Sequence, residues 1–282
     1  MNQVMIKLAL HESIPPFLQA GLRSTGSVIL LMAWVRLRGG RGALGRLFMA
    51  DATLWPGLLT AALFAGEFLF MYPGLLLTTA SRATLFVYTA PFWVAAGVHL
   101  LVPGERLTPR QGLGLILAFT GVGCAMGDGL MAGGGQWLGD LFCLLAGAFW
   151  GLTTVSVRAS RPLMAVRPEK VLLYQLGGSA PILLLVGMFA GEAPILAGGT
   201  ALGWGWLGYQ VLVIAFFSYL TWYWLIGRYP AGRLAAFTFL VPVFGLAAGW
   251  LVLGEPVSAL LVVALVLVTW GIQLVNGPSA AK

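Results

Sequence analysis

Nine predominantly apolar runs leave this chain one kind of fold. They lie at about 15–36, 54–78, 82–102, 110–126, 137–157, 171–190, 204–227, 233–253 and 257–276. Each is close to the ~20 residues a helix needs to cross about 30 Å of hydrocarbon. Lipid offers no water to an unpaired backbone N–H or C=O, so such runs close their hydrogen bonds internally as helices. With 59% hydrophobic residues, 9% charged residues and a mean hydropathy of +0.91, the sequence reads as an all-α polytopic membrane protein.

Short gaps carry breakers: Pro15-Pro16, Gly39-Gly40, Pro103-Gly104, Gly133 to Gly135, Pro162, Pro168, Gly198-Gly199, Pro230 and Gly254-Glu255-Pro256. No gap is long enough for a soluble domain. Met1 to Leu10 supplies about half of a further helix, without a signal-peptide cleavage pattern. The net charge of +7 follows from topology rather than from nucleic-acid binding. Counting the half-helix first, with an inside N-terminus, places Arg36, Arg38, Arg41, Arg46, Arg106, Arg110, Arg158, Arg161, Arg167, Lys170, Arg228, Arg233 and Lys282 on the cytoplasmic side. The opposite loops hold Glu12, Asp128, Glu192 and Glu255, with Arg82 as their one basic residue. The positive-inside rule therefore predicts a multi-pass protein of the cell inner membrane with both termini cytoplasmic.

Sliding the chain by about 150 residues reveals an internal repeat. Pro91 answers Pro242, Gly104-Glu105 answers Gly254-Glu255, and Gly121 answers Gly271. Trp150-Gly151-Leu152-Thr153-Thr154-Val155-Ser156-Val157-Arg158 aligns, through its later part, with Asn2 to Lys7. The expected architecture is ten transmembrane helices in two units, 1–126 and 137–276, with the first helix truncated by roughly fifteen residues. Five helices per unit send the units across the membrane in opposite senses, an inverted repeat with its binding site near the midplane between them.

Five plus five helices, W-G-x-N/T-x-x-x-x-K/R in the first helix of a unit, Arg23 in the second, and Pro followed 13 or 14 residues later by the Glu of a Gly-Glu pair resemble the EamA branch of the drug/metabolite transporter superfamily. The aromatic richness and the stretch Tyr72-Pro73-Gly74-Leu75-Leu76-Leu77-Thr78-Thr79-Ala80-Ser81-Arg82 are most similar to the YddG-type exporters of amino acids. The resemblance implies alternating access about a cavity lined by the first, third, fourth, sixth, eighth and ninth helices. It also implies outward transport of a small amphipathic metabolite, an amino acid above all.

The candidate site starts from Glu67, an acid inside an otherwise apolar span and hence a functional candidate. Arg23 lies at nearly the same depth on a helix running the other way, so an ion pair is sterically feasible. The acid suits an α-amino group and the arginine a carboxylate; a purely structural pair is the competing reading. Tyr72, Tyr88, Trp150, Tyr174, Tyr219, Trp222 and Tyr223 offer flat apolar faces with polar tips, which suits a neutral amino-acid side chain. Tyr219, Trp222 and Tyr223 share one helix face at i, i+3 and i+4. The competing reading for aromatics is the interfacial belt, assigned to Trp204, Trp206 and Trp250. Pro91 and Pro242 are expected kinks, and Gly147 with Gly151 and Gly245 with Gly249 are expected close-packing positions.

Several chemistries drop out. Gly203-Trp204-Gly205-Trp206-Leu207-Gly208 opens a membrane helix rather than a βαβ unit, so it is no dinucleotide loop. His11 and His99 are isolated, giving no metal cluster, and Cys124 and Cys143 read as packing residues. No Walker sequence, catalytic constellation or cofactor motif is present, so the chain is expected to be a carrier rather than an enzyme. Its expected partners are a small-molecule substrate and membrane lipid, with no nucleic acid. Export of drug-like cations or nucleotide-type metabolites, and a scaffold that transports nothing, are the competing readings.

Overall fold

The computed structural model describes residues 2–102, 107–219, 221, 225 and 240–276, and these are helical throughout apart from turns and short connections. The elements are α1 (Asn2–His11), α2 (Pro16–Phe48), α3 (Leu54–Leu77), α4 (Ala80–Val87), α5 (Ala90–Leu101), α6 (Pro109–Ala132), α7 (Gln136–Ala159), α8 (Arg161–Ala165), α9 (Pro168–Leu172), α10 (Gly178–Phe189), α11 (Ala193–Ala197), α12 (Ala201–Tyr209), α13 (Leu240–Leu253) and α14 (Ala259–Asn276). Two π-helical segments, Leu173–Gly177 and Gln210–Phe217, link α9 to α10 and extend α12. Among the described residues seven helical stretches are long and apolar enough to cross a membrane, with Ala201–Phe217 and Leu240–Leu253 as shorter apolar helices. Large side chains such as Trp55, Leu100, Phe189 and Trp250 stand exposed on the outside of the bundle, as lipid-facing residues do.

Prolines and glycines act differently from their sequence reading at several points. Gly39-Gly40 was expected to break the second helix, yet α2 runs on for 33 residues to Phe48. Glycine costs a helix only about 1 kcal/mol, and Ala43 and Leu47, buried four residues apart on the extension, repay it by packing. Pro91 does interrupt its helix: α4 ends at Val87 and α5 begins at Ala90. Proline has no N–H for the Val87 carbonyl, and Thr89 turns its hydroxyl onto the Phe86 carbonyl at 2.6 Å. Pro181 likewise has no N–H for Gly177, the last residue of the π segment before α10. Pro242 lies near the start of α13, next to undescribed residues.

Small residues allow the closest helix approaches. A Cβ on Gly147 would stand 2.8 Å from the Phe86 carbonyl oxygen, and one on Gly151 3.0 Å from that of Ala90, so α7 lies directly on α4 and α5. Where α6 meets α14, a Cβ on Gly121 would stand 2.9 Å from the Ala264 carbonyl oxygen.

Polar contacts sort the connections onto two ends of the bundle. At one end Glu192 accepts from the backbone N–H groups of Phe17 (3.2 Å) and Leu18 (2.8 Å), capping α2. Glu255 accepts from Ala80 N (2.5 Å), Ser81 N (2.9 Å) and the Ser81 hydroxyl (2.6 Å), capping α4. Carboxylates at helix N-termini meet both the free N–H groups and the positive end of the dipole. Arg82, 2% exposed, grips Asp140 with Nη2–Oδ2 at 2.5 Å and Asp128 with Nη1–Oδ2 at 2.5 Å, and donates to the Ala125 carbonyl. At the opposite end Lys170 donates to Asp51 Oδ2 (2.6 Å) and the Met49 carbonyl (2.9 Å). The Lys170 bond, followed by the Thr53 hydroxyl, holds the Asp51 carboxyl at about 2. Burial pushes the Glu192 carboxyl up, against the pull of the Leu18 and Phe17 amides.

Candidate functional site

Arg23 and Glu67 meet in the interior on α2 and α3, which pass antiparallel at that level. Counting 1.5 Å per residue, Arg23 lies about 10 Å along α2 from Pro16 and Glu67 about 15 Å along α3 from Leu77, and these helix ends share one face of the bundle. Arg23 is 2% exposed and Glu67 7%. Their charges act on one another, without an N···O contact inside the 4.0 Å of an ion pair.

Arg23 instead lies over the Phe68 ring, with Cζ 4.3 Å from its centroid. Arg23 Nε and Nη2, Glu67 Oε2 and Gln19 Oε1 are buried and have no hydrogen-bond partner. Burying such groups unpartnered is costly, and much of the cost falls on two residues of opposite charge that act on one another. The Glu67 oxygen accepts only, when ionised, and the Arg23 nitrogens only donate.

Rings and hydroxyls surround the pair. Phe64, Phe68 and Tyr72 form an edge-to-face ladder along α3, with centroids 4.9 and 5.9 Å apart. Tyr72 is fully buried and donates to Gln210 Oε1 at 3.4 Å. Gln210 Nε2 in turn donates to the Met5 carbonyl at 3.3 Å, so the π segment Gln210–Phe217 and α1 are tied to α3. Tyr219 is within electrostatic reach of both Arg23 and Glu67, and Tyr88 within reach of Tyr219 and Glu67. Trp150 meets Tyr88 edge-on at 5.3 Å. The break at Tyr88-Thr89 ahead of Pro91 sets the position of Tyr88.

The structure thus brings together Arg23, Glu67, Tyr72, Tyr88, Trp150 and Tyr219. Tyr174 lies elsewhere: its hydroxyl shares a 2.9 Å hydrogen bond with Thr53 at the Asp51–Lys170 end. A Cβ on Gly57 would be 2.6 Å from the Tyr174 ring, so that ring is wedged between helices. Trp222 and Tyr223 lie outside the described residues, as do Gly104 and Glu105 of the repeat. Trp204 and Trp250 stand exposed, whereas Trp206 packs inward with a buried, unpartnered indole N–H. Sequence reasoning missed Gln19 and Phe68, the neighbours of Arg23 and Glu67 along their own helices. Their signal was present in part, since Gln19 sits one turn before Arg23 and Phe68 directly follows Glu67. Among the described residues no group of His, Cys, Asp and Glu is placed to hold a metal ion.

The EamA-like transporter family model matches the chain twice, over residues 1–127 and 137–277. A probable amino-acid metabolite efflux pump of Escherichia coli is 26% identical, over 97% of this chain and 89% of the pump. An uncharacterized transporter of Bacillus subtilis is 27% identical, over 100% of this chain and 89% of its own length. A protein of known crystal structure superposes with a TM-score of 0.69 at 21% identity, covering 97% of this chain and 93% of that one, which establishes a shared fold.

Proposed function

The chain belongs to the EamA-like transporter family, a multi-pass membrane transporter and not an enzyme, and on that premise we propose that it exports neutral, preferentially aromatic, amino acids and related metabolites by alternating access. The observation that carries this reading is the pair of unspent valences: Glu67 Oε2 and Arg23 Nε and Nη2, buried and unpartnered on two residues whose charges act on one another. An α-amino acid brings the complement, an ammonium for the carboxylate and a carboxylate for the guanidinium. Phe68, Tyr72, Tyr88, Trp150 and Tyr219 supply rings around the pair, which suits an aromatic or aliphatic side chain. The name of the E. coli relative, a probable amino-acid metabolite efflux pump, agrees with that chemistry.

The two family matches support two five-helix units crossing the membrane in opposite senses, ten helices in all, with the substrate between them. The arginine-bearing end, with Arg36, Arg38, Arg161 and Arg167, is assigned to the cytoplasm. Arg23 weighs against drug-like cations, because a guanidinium at the site repels the charge that Glu67 would attract.

Purified protein in liposomes loaded with phenylalanine, leucine or an organic cation tests the reading. Saturable amino-acid flux, reduced in Glu67→Gln, is expected. Flux of the cation alone overturns the substrate, and no flux of any solute overturns transport itself.

A further inference from the structure

A second site lies away from the Arg23–Glu67 centre, where α2 runs past the end of the hydrocarbon. Between the α2 extension and the connection before α9 is a cleft of about 510 Å³, with Trp34, Arg38 and Arg46 on one wall and Arg167, Glu169 and Lys170 on the other. The lining belongs to the second helix, the connection carrying Asp51 and the residues around the start of α9. None of it comes from the residues around Glu67.

The charge in this cleft is unbalanced. Lys170 is spent on Asp51, at 2.6 Å. That leaves Arg38, Arg46 and Arg167 against Glu169. The side chains of Arg46 and Arg167 make no hydrogen bond or ion pair among the described residues. Arg38 stacks on Trp34, with Cζ 4.1 Å from the ring centroid, which fixes the plane of the guanidinium and leaves its N–H edge as a donor. Three planar donors lining the two walls of one cleft suit the oxygens of a phosphate.

Depth points to the source of that phosphate. Trp34 is about 27 Å along α2 from Pro16, the distance across a hydrocarbon core. Leu37, Phe48 and Met49, in the same α2 extension and just after it, are 83%, 57% and 60% exposed. Large apolar groups beside arginines at this level belong in the zone between acyl chains and headgroups. We propose that the cleft is a binding site for a phosphate-bearing anion, with the headgroup of an anionic phospholipid as the favoured source.

Native mass spectrometry of the full-length protein released from detergent tests this with no flux measurement, so its outcome is independent of the transport reading. The probes are phosphatidylglycerol, phosphatidylcholine and soluble glycerol phosphate. Phosphatidylglycerol is expected to bind saturably, about tenfold more tightly than phosphatidylcholine. Arg46→Gln and Arg167→Gln, whose side chains make no bonds among the described residues, are each expected to weaken it roughly fivefold. Arg36→Gln, on the same helix but outside the cleft, is expected to leave it within twofold. Retention of phosphatidylglycerol but not glycerol phosphate assigns the site to lipid, and comparable retention of both assigns it to a soluble phosphate; either supports the site. Absence of saturable binding by all three probes, or an equal loss in Arg36→Gln and Arg46→Gln, overturns it.

Discussion

Arg23 and Glu67 are the residues at which stability and transport are in tension. A buried arginine that packs on Phe68 while two of its nitrogens go unpartnered is held for reasons other than packing economy. Removing one charge of a buried pair leaves the other uncompensated, at about 3–5 kcal/mol. Arg23→Gln is therefore expected to lower the melting temperature in detergent more than the double variant Arg23→Gln/Glu67→Gln, which buries no net charge. If the double variant is as unstable as the sum of the single ones, the two charges do not act on each other. Transport reads the other role. One charge-assisted hydrogen bond is worth about 1.5–3 kcal/mol, so Glu67→Gln is expected to raise the KM for phenylalanine by roughly ten- to a hundredfold. A Glu67→Gln protein with unchanged KM but a lowered melting temperature assigns Glu67 to structure alone. Asp51 supplies a pH-dependent counterpart at the other end. Its folded-state carboxyl, held at about 2 by Lys170, lies below the ordinary 3.8. The pair's contribution is therefore complete above pH 3.8, fades as pH falls toward 2, and is absent below. Melting temperature measured across that window is expected to fall more steeply in the native protein than in Asp51→Asn.

At the level of elements, the apolar runs announced the helices because lipid imposes the same solution on any such run. Boundaries were less legible. Gly39-Gly40 looks like a stop, but the burial of Ala43 and Leu47 beyond it is tertiary information that no local pattern contains. The interruption at Tyr88-Thr89 was readable, since Pro91 denies Val87 its donor; the π segment at Leu173–Gly177 had an equivalent signal in Pro181 that went unread. The caps supplied by Glu192 and Glu255 join residues 174 or 175 positions apart, so sequence showed acids in loops without their targets. Close helix approach yields a sharp contrast. Gly121 has the Ala264 carbonyl within 2.9 Å of any added Cβ, whereas a Cβ on Gly123, two residues on, has nothing within 4 Å. Gly121→Leu is expected to destabilise the α6–α14 pair by several kcal/mol, in the manner of overpacked interfaces, while Gly123→Leu, on the lipid side, is expected to change the melting temperature by less than a degree or two. Equal effects of the two substitutions would show that α6 and α14 do not meet through Gly121.

For the whole molecule, contacts establish which connections share an end, and the charge distribution carries the proposal of which end faces the cytoplasm. Glu192 reaching the start of α2, Glu255 reaching the start of α4, and Arg82 holding both Asp128 and Asp140 gather five acid- or arginine-bearing segments at one end. Asp51 with Lys170 and Thr53 with Tyr174 gather the other. That grouping was legible in advance from the distribution of Lys and Arg, because insertion acts on short loops of local sequence. The placement of Tyr174 was not, because a tyrosine in a span reads the same whether it faces the centre or an end. Orientation is tested with cysteines introduced at exposed connections, after replacing the half-buried Cys124 and leaving Cys143, which is buried. Ser13→Cys and Gly134→Cys are expected to react with a membrane-impermeant maleimide added to intact cells, and Ala52→Cys and Arg161→Cys only after permeabilisation. The reverse pattern would invert the protein in the membrane and put the basic cleft at Arg38, Arg46 and Arg167 on the outer leaflet. A mixture in which Ser13 and Gly134 differ would contradict the grouping itself, since both belong to the end held together by the Arg82 cluster and the Glu192 cap.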